Sequence, residues 1–196
     1  MPNSMNGDPS CWISVDCLDM GIDEPYPYEK VWSKRWYSQK ENGAGLRYEI
    51  GVCIATGHIV WINGPFACGK YNDWEIFSTK GLKDHLDEFE RVEADRGYAA
   101  GDPEFVKCKD SIFHDPSQRI VRNEIMACHE TVNSRLKCFN ILAKRYKHKL
   151  QDHQMVFLGV ATLVQLSFES GSPPFEIKRI YLSMADRQEN VITNMA

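Results

Sequence analysis

At 196 residues and a net charge of −4, with 43% hydrophobic and 26% charged residues, the chain is long enough for one hydrophobic core and too short for two full domains. That composition excludes a disordered polymer and gives no overall electrostatic reason to seek nucleic acid; the longest apolar run, Met155 to Val164, is about half of the roughly twenty residues a bilayer crossing needs, so no membrane span is expected. Seven cysteines without a C-x-x-C pair argue against a disulfide framework or a zinc ribbon and read as small buried hydrophobes in a reducing, intracellular compartment, and the N-terminus, with neither a basic nor an apolar signal region, agrees.

Along the chain, Cys11 to Cys17 (CWISVDC) is a β-branched apolar run between Pro9 and the Pro25/Pro27 segment, read as a short buried strand ending at Asp16. Arg47 to Ile54 alternates Tyr48, Ile50, Val52 and Ile54 against Glu49, Gly51 and Cys53. Ala55-Thr56-Gly57 then turns the chain into His58 to Asn63, which predicts a hairpin. Asn72-Asp73-Trp74-Glu75 offers an N-cap with Glu three residues on, predicting a helix through Trp74, Phe77, Leu82 and Leu86 with Gly81 as its weak point; Asp73 is read as a capping residue. Arg91 to Asp95 predicts a second short strand, stopped by Arg96-Gly97 and again closed by an Asp.

Val121, Ile125, Cys128, Val132, Leu136 and Phe139 recur at three- and four-residue steps, the clearest helix of the chain. Met155 to Phe168 is apolar nearly all round, which predicts a helix deep in the core. This order of elements implies an α/β domain, a mixed sheet covered by helices, over 10–178, with 179–196 a loosely ordered tail.

Charge is unevenly distributed. From Asp73 to Glu104 there are ten acidic and four basic residues, whereas from Thr131 to Gln151 there are six basic residues and no acid. Asp16 and Asp95 at strand ends and Glu130 on the covering helix are the carboxylates placed to bind hard divalent cations through oxygen. Singly, each also has an ordinary reading, as a turn or cap residue or as a solvated helix position. On a helical wheel Glu130 lies opposite the apolar stripe, compatible with a site or with plain exposure. His129 is read as a packing or surface residue.

The runs SVDCLD, GLRYEIGVCIATGHIVWINGPFACGKYNDWEIF, RVEADRGY and HETVNSRLKCFNIL resemble the catalytic domain of Harbinger-like transposases, the DDE superfamily endonucleases, over about Ser14 to Phe175. The resemblance implies a ribonuclease H-like α/β fold and three acidic residues that hold two Mg2+ or Mn2+ ions for DNA cleavage and strand transfer. Its motifs fall on Asp16 in VDC, Asp95 in EADRGY and Glu130 in CHETVN. The implied chemistry is in-line attack on a phosphodiester by water and then by the freed 3′-hydroxyl, with no covalent enzyme intermediate. Double-stranded DNA at transposon ends, a separate DNA-binding protein, an oligomeric state and a nuclear setting are the partners and location it implies. Met126 and Cys128 stand where relatives often have arginines, and relatives usually carry DNA-recognition sequence ahead of the first catalytic strand, so the resemblance leads one to expect a fragment here.

For DNA contact the basic segment supplies Arg135, Lys137, Lys144, Arg145, Lys147 and Lys149, with Phe139 and Tyr146 among them, against the ordinary reading of a solvated charged face. Lys30, Lys34, Arg35 and Lys40, interleaved with Trp32, Trp36 and Tyr37, form a second segment, suited to stacking on unpaired bases or simply a strand packing its aromatics inward. The rival to a nuclease is a domesticated or decayed copy that binds DNA or protein without cutting. An aspartyl phosphotransferase built on Asp16 lacks the acid two residues on, where Leu18 stands.

Overall fold

The computed structural model describes residues 11–25, 34–87, 90–98, 105–107 and 116–174; Lys30, Trp32, Cys108 and the 179–196 tail lie outside them. The described residues form a mixed sheet with helices on both faces, as the α/β reading expects. Its strands are β1 (Cys11–Gly21), β2 (Tyr37–Ser38), β3 (Gly43–Cys53), β4 (Ile59–Ala67), β5 (Arg91–Ala94) and β6 (Val106–Lys107). They lie in the order β4, β3, β1, β5, β6, with the two-residue β2 beside the start of β3. β1 is central, antiparallel to β3 and parallel to β5.

β1 runs well past Cys17, so Asp16 sits in mid-strand opposite Ile50 rather than at an end. The expectation of a short strand fails because Asp16, read as its end, and Asp19 beyond it are both hydrogen-bonded by distant residues. Arg47 donates to both oxygens of Asp19 at 2.7 and 2.9 Å, and Ser38 Oγ adds a third bond at 2.7 Å. The hairpin β3–β4 forms as expected, turning at Gly57 with φ +71°, where only glycine is unstrained.

Alternation along β1 splits the core. Val15 and Cys17 join Val92, Ala94, Tyr98 and the buried Ile76 and Phe77 of helix α1 (Asp73–Lys80) on one face. Leu18 and Met20, with Leu46, Tyr48, Ile50 and Val52, meet Val132 and Leu136 of α2 (Pro116–Lys137) and Phe157, Val160, Val164 and Phe168 of α4 (His153–Glu169) on the other. The short α3 (Asn140–Ala143) lies between these two helices in sequence.

Helix α1 stops where Gly81 raised doubt, and a 3-10 turn, Leu82–His85, follows. A Cβ at Gly81 would stand 2.5 Å from Glu49 Oε2 and 2.6 Å from the Ile76 carbonyl. Helix α4 exists where expected but is not buried all round. It packs through Phe157, stacked on Tyr48 at 3.9 Å between ring centroids, while Met155, Leu158, Leu163 and Leu166 face outward. Nothing among the described residues covers its far side, and the uniform hydrophobicity of its sequence hid which side docks. The cysteine reading holds for the buried Cys17, Cys68 and Cys128 and fails for Cys138, which is exposed; no disulfide joins the six described cysteines.

Candidate active site

The parallel register of β1 and β5, with Ser14 opposite Glu93 and Val15 opposite Ala94, carries Asp16 and Asp95 to neighbouring positions on the face covered by α2. Asp16 is 8% exposed. Its Oδ1 accepts the Cys17 N–H at 2.7 Å and its Oδ2 accepts from Asn133 Nδ2 of α2 at 3.1 Å. Burial, with the charges of Asp95 and Asp73 adding and Lys40 opposing, pushes its carboxyl up to about 6. Asp95 follows β5 in a half-buried turn, where its Oδ1 accepts the Gly97 N–H at 2.7 Å.

Asp73 is the third acid at this end of the sheet. It is not the cap expected of it: Asn72 caps α1, accepting the Glu75 N–H at 2.8 Å, and Glu75 returns a bond to the Asn72 N–H at 2.9 Å. Asp73 is therefore released from capping and pairs with Arg47, Oδ1 to Nη1 at 2.8 Å, an ion pair that lacks hydrogen-bond alignment. Burial raises its carboxyl despite Arg47 and Lys40. A Cβ at Gly97 would stand 2.5 Å from Asp73 Oδ2 and 2.9 Å from Asp95 Oδ1, so these two carboxylates crowd one point and glycine leaves them room.

Two cations serve the cluster. Lys40 Nζ donates to the Cys17 carbonyl at 2.9 Å; burial works against its charge, yet Asp16, Asp19 and Asp73 together hold its pKa above the usual lysine value. Arg47 bridges Asp19 and Asp73. A second buried pair braces β5 from α2: Arg122 Nε lies 3.7 Å from Glu93 Oε2, and its Nη2 donates to the Ala94 carbonyl.

Glu130 is exposed on α2. It precedes Asn133 by three residues, which on a helix makes the two surface neighbours, so it stands on the solvent edge of the face that meets Asp16. The polar residues of α2 that turn inward are Arg122, His129 and Asn133, all buried. His129 packs as expected, its Nδ1 2.8 Å from Ser14 Oγ, and burial pushes it down to about 4. Among the described residues no group of three or more His, Cys, Asp or Glu is arranged to hold a metal ion. The donor chemistry at Asp16 and Asp95, oxygen-only and negatively charged, fits a hard divalent cation, and the raised Asp16 is a carboxylate that lacks a full counter-charge.

Of the basic segment, two members are engaged within the chain. Arg135 donates to the carbonyls of Ser172 and Pro173 and lies over the Phe168 ring at 5.0 Å, and Lys137 pairs with Glu41 at 2.9 Å. Lys144, Arg145, Lys147 and Lys149 are exposed on the connection after α3, which passes the end of β1 through the Ile22–Tyr146 bridge. In the other segment Trp36 packs against the core while Tyr37 is exposed, so the inward-packing reading holds for one aromatic of the pair.

Asn133 and Arg47 went unread in the sequence, and Asp73 was read as a cap rather than as part of the site. A signal existed for two of them: Asn72 and Glu75 already complete the cap, leaving Asp73 without that duty, and Asn133 is a polar residue beside Val132 on the buried side of an amphipathic helix. Arg47 gave none, since its partners are distant in sequence.

No helix among the described residues is long and apolar enough to cross a membrane. No family model matches the chain, and no solved structure matches it. Over 147 residues, 70% of this chain, it is 26% identical to the probable transposase for insertion sequence element IS702 of Microchaete diplosiphon, and it spans about half of that protein's length. That relative is bacterial and lends no support to a nuclear setting. By this distant homology the chain is transposase-related.

Proposed function

We propose that the chain is the catalytic domain of a DDE-type, Harbinger-like transposase with a ribonuclease H-like architecture, cutting and joining double-stranded DNA. The observation that carries this reading is the convergence of Asp16 and Asp95 through the β1–β5 register, in a chain distantly similar to a probable transposase. Asp16 and Asp95 would hold Mg2+ or Mn2+, with Glu130 as the third carboxylate, brought in from the edge of α2. When bound, two such ions supply charge neutralisation at the phosphate and activation of the attacking group.

The chain's own residues do the positioning. Asn133 fixes the Asp16 carboxylate, Arg122 ties β5 to α2 behind Asp95, and Lys40 places a positive charge beside Asp16 where a phosphate oxygen would arrive. Ile22 lies six residues beyond Asp16, just past the end of β1, about 20 Å at the strand rise, so Lys144, Arg145, Lys147 and Lys149 would grip the duplex about six base pairs from the cut.

Nicking of supercoiled plasmid in Mn2+ tests the reading. Asp95→Asn and Glu130→Gln are each expected to lower the rate by orders of magnitude while DNA binding persists. Nicking that survives Asp95→Asn refutes the site; loss in Asp95→Asn with survival in Glu130→Gln moves the third carboxylate to Asp73. One observation favours the second reading, a decayed copy that binds without cutting. Cys128, where relatives often carry arginine, is buried against Ile54 and Ile125, so an arginine there would not fit this core. A parent inactive in Mn2+ that still binds DNA would establish that reading.

A further inference from the structure

A pocket of about 530 Å³ opens beside the carboxylates. It shares Lys40, Arg47 and Asp73 with them, and beyond these it is lined by Lys34, Tyr37, Gln39, Cys68, Gly69, Lys70, Tyr71, Asn72 and Glu75. Its walls are built rather than incidental. Gly69 lies so close to the 34–35 backbone that a Cβ would stand 1.7 Å from the Lys34 carbonyl oxygen, and its N–H donates to the Arg35 carbonyl at 2.9 Å. The Asn72–Glu75 capping box sets the opposite wall.

Two features identify the occupant. Tyr71 and Tyr37 offer ring faces, Tyr71 set edge-on by Phe66 at 5.7 Å and Tyr37 nearly half exposed. Cations gather on one of them: the exposed Lys70 and Lys80 lie over the Tyr71 ring, Nζ 4.9 and 5.8 Å from its centroid, where a stacking base would displace them toward its phosphates, and Lys34 also lines the pocket. Aromatic faces flanked by lysines are the surface on which unpaired bases stack while their phosphates meet the charges, and the volume falls within the range of small-ligand sites.

We infer that this pocket takes one unpaired nucleotide of the DNA strand being processed. Its base stacks on Tyr71, its phosphate lies toward Lys34 and Lys70, and the neighbouring phosphate lies at Asp16 and Asp95 past Lys40. The inference rests on the DNA-processing reading and adds to it a preference for unpaired over fully paired ends next to the cut.

The test uses the full chain with two DNA duplexes, one fully paired and one carrying a single unpaired 2-aminopurine at its end, followed by anisotropy and by 2-aminopurine emission. The overhang duplex is expected to bind more tightly, with its emission quenched. Tyr71→Leu should weaken that binding about ten-fold and restore the emission, the effect of one lost base–aromatic stack. Tyr71→Phe should retain both, and the fully paired duplex should bind all three proteins alike. Equal binding of the two duplexes with unquenched emission overturns this inference and leaves the nuclease reading standing. Failure to bind either duplex overturns both.

Discussion

Replacing Asp16 by Asn isolates what burying this carboxylate costs. In the fold its pKa moves from 3.8 to about 6, chiefly through burial. Because the folded value is raised, the stability Asp16 contributes is fully present below pH 3.8 and is lost as pH rises through about 6. At about 1.4 kcal/mol per unit the ionised side chain costs the native state about 3 kcal/mol near pH 7. Asparagine removes that cost and keeps an acceptor for the Cys17 N–H. The unpartnered Asn133 Oδ1 gains a donor once the two amides orient head to tail. Asp16→Asn is therefore expected to raise Tm by about 6 to 12 °C at pH 7.5 in a chain of this length, with the gain shrinking as pH falls toward 4. Mg2+ or Mn2+ should stabilise the parent and not the variant, narrowing the gap. Thermal denaturation at several pH values, with and without metal, measures all of this. A variant no more stable than the parent at pH 7.5, or a gap that does not change with pH, refutes the argument from burial.

Glu49 repeats the logic away from the site. It accepts from Trp61 Nε1 at 2.7 Å and the Leu82 N–H at 3.1 Å through Oε2, its Oε1 accepts no hydrogen bond, and burial pushes it up to about 7. Its stabilising contribution is present below pH 4.5 and lost as pH rises through about 7, so Glu49→Gln should raise Tm at pH 8.5 and change it little at pH 4, read by the same melts. Arg135→Gln should cost about 1 to 2 kcal/mol in urea denaturation through its bonds to the chain after α4, while lowering DNA affinity less than Lys144→Gln with Lys147→Gln does by anisotropy at matched salt.

The elements legible in the sequence were those that carry their own period or punctuation. The β3–β4 hairpin, the α1 cap at Asn72 and the long α2 stripe follow from neighbours within a few residues, and the structure places them where expected. What was not legible depended on partners far along the chain. β1 continues through Asp16 and Asp19 because Asn133 lies 117 residues away from one and Arg47 lies 28 residues away from the other. The docking side of α4 is set by Tyr48 and Phe157 meeting, which a helix apolar on every side cannot announce.

Asp16 and Asp19 show how a structural acid and a site acid can be told apart on one strand. Both are buried on β1 three residues apart, and burial acts to raise both. At Asp19 the fold answers with Arg47 and Ser38, and the carboxyl ends below its ordinary value; at Glu93 it places Arg122 close by. At Asp16 it supplies the Cys17 N–H, the Asn133 amide and a lysine shared among several acids, with no guanidinium, and adds Asp95 and Asp73 on the unfavourable side. A chain that neutralises one buried aspartate so completely does not lack the means to neutralise its neighbour. Leaving Asp16 under-compensated lowers stability without any packing gain visible around it, and such local conflicts gather where function requires them. That contrast supports reading Asp16, with Asp95 beside it, as the centre of the site, whichever acid completes it.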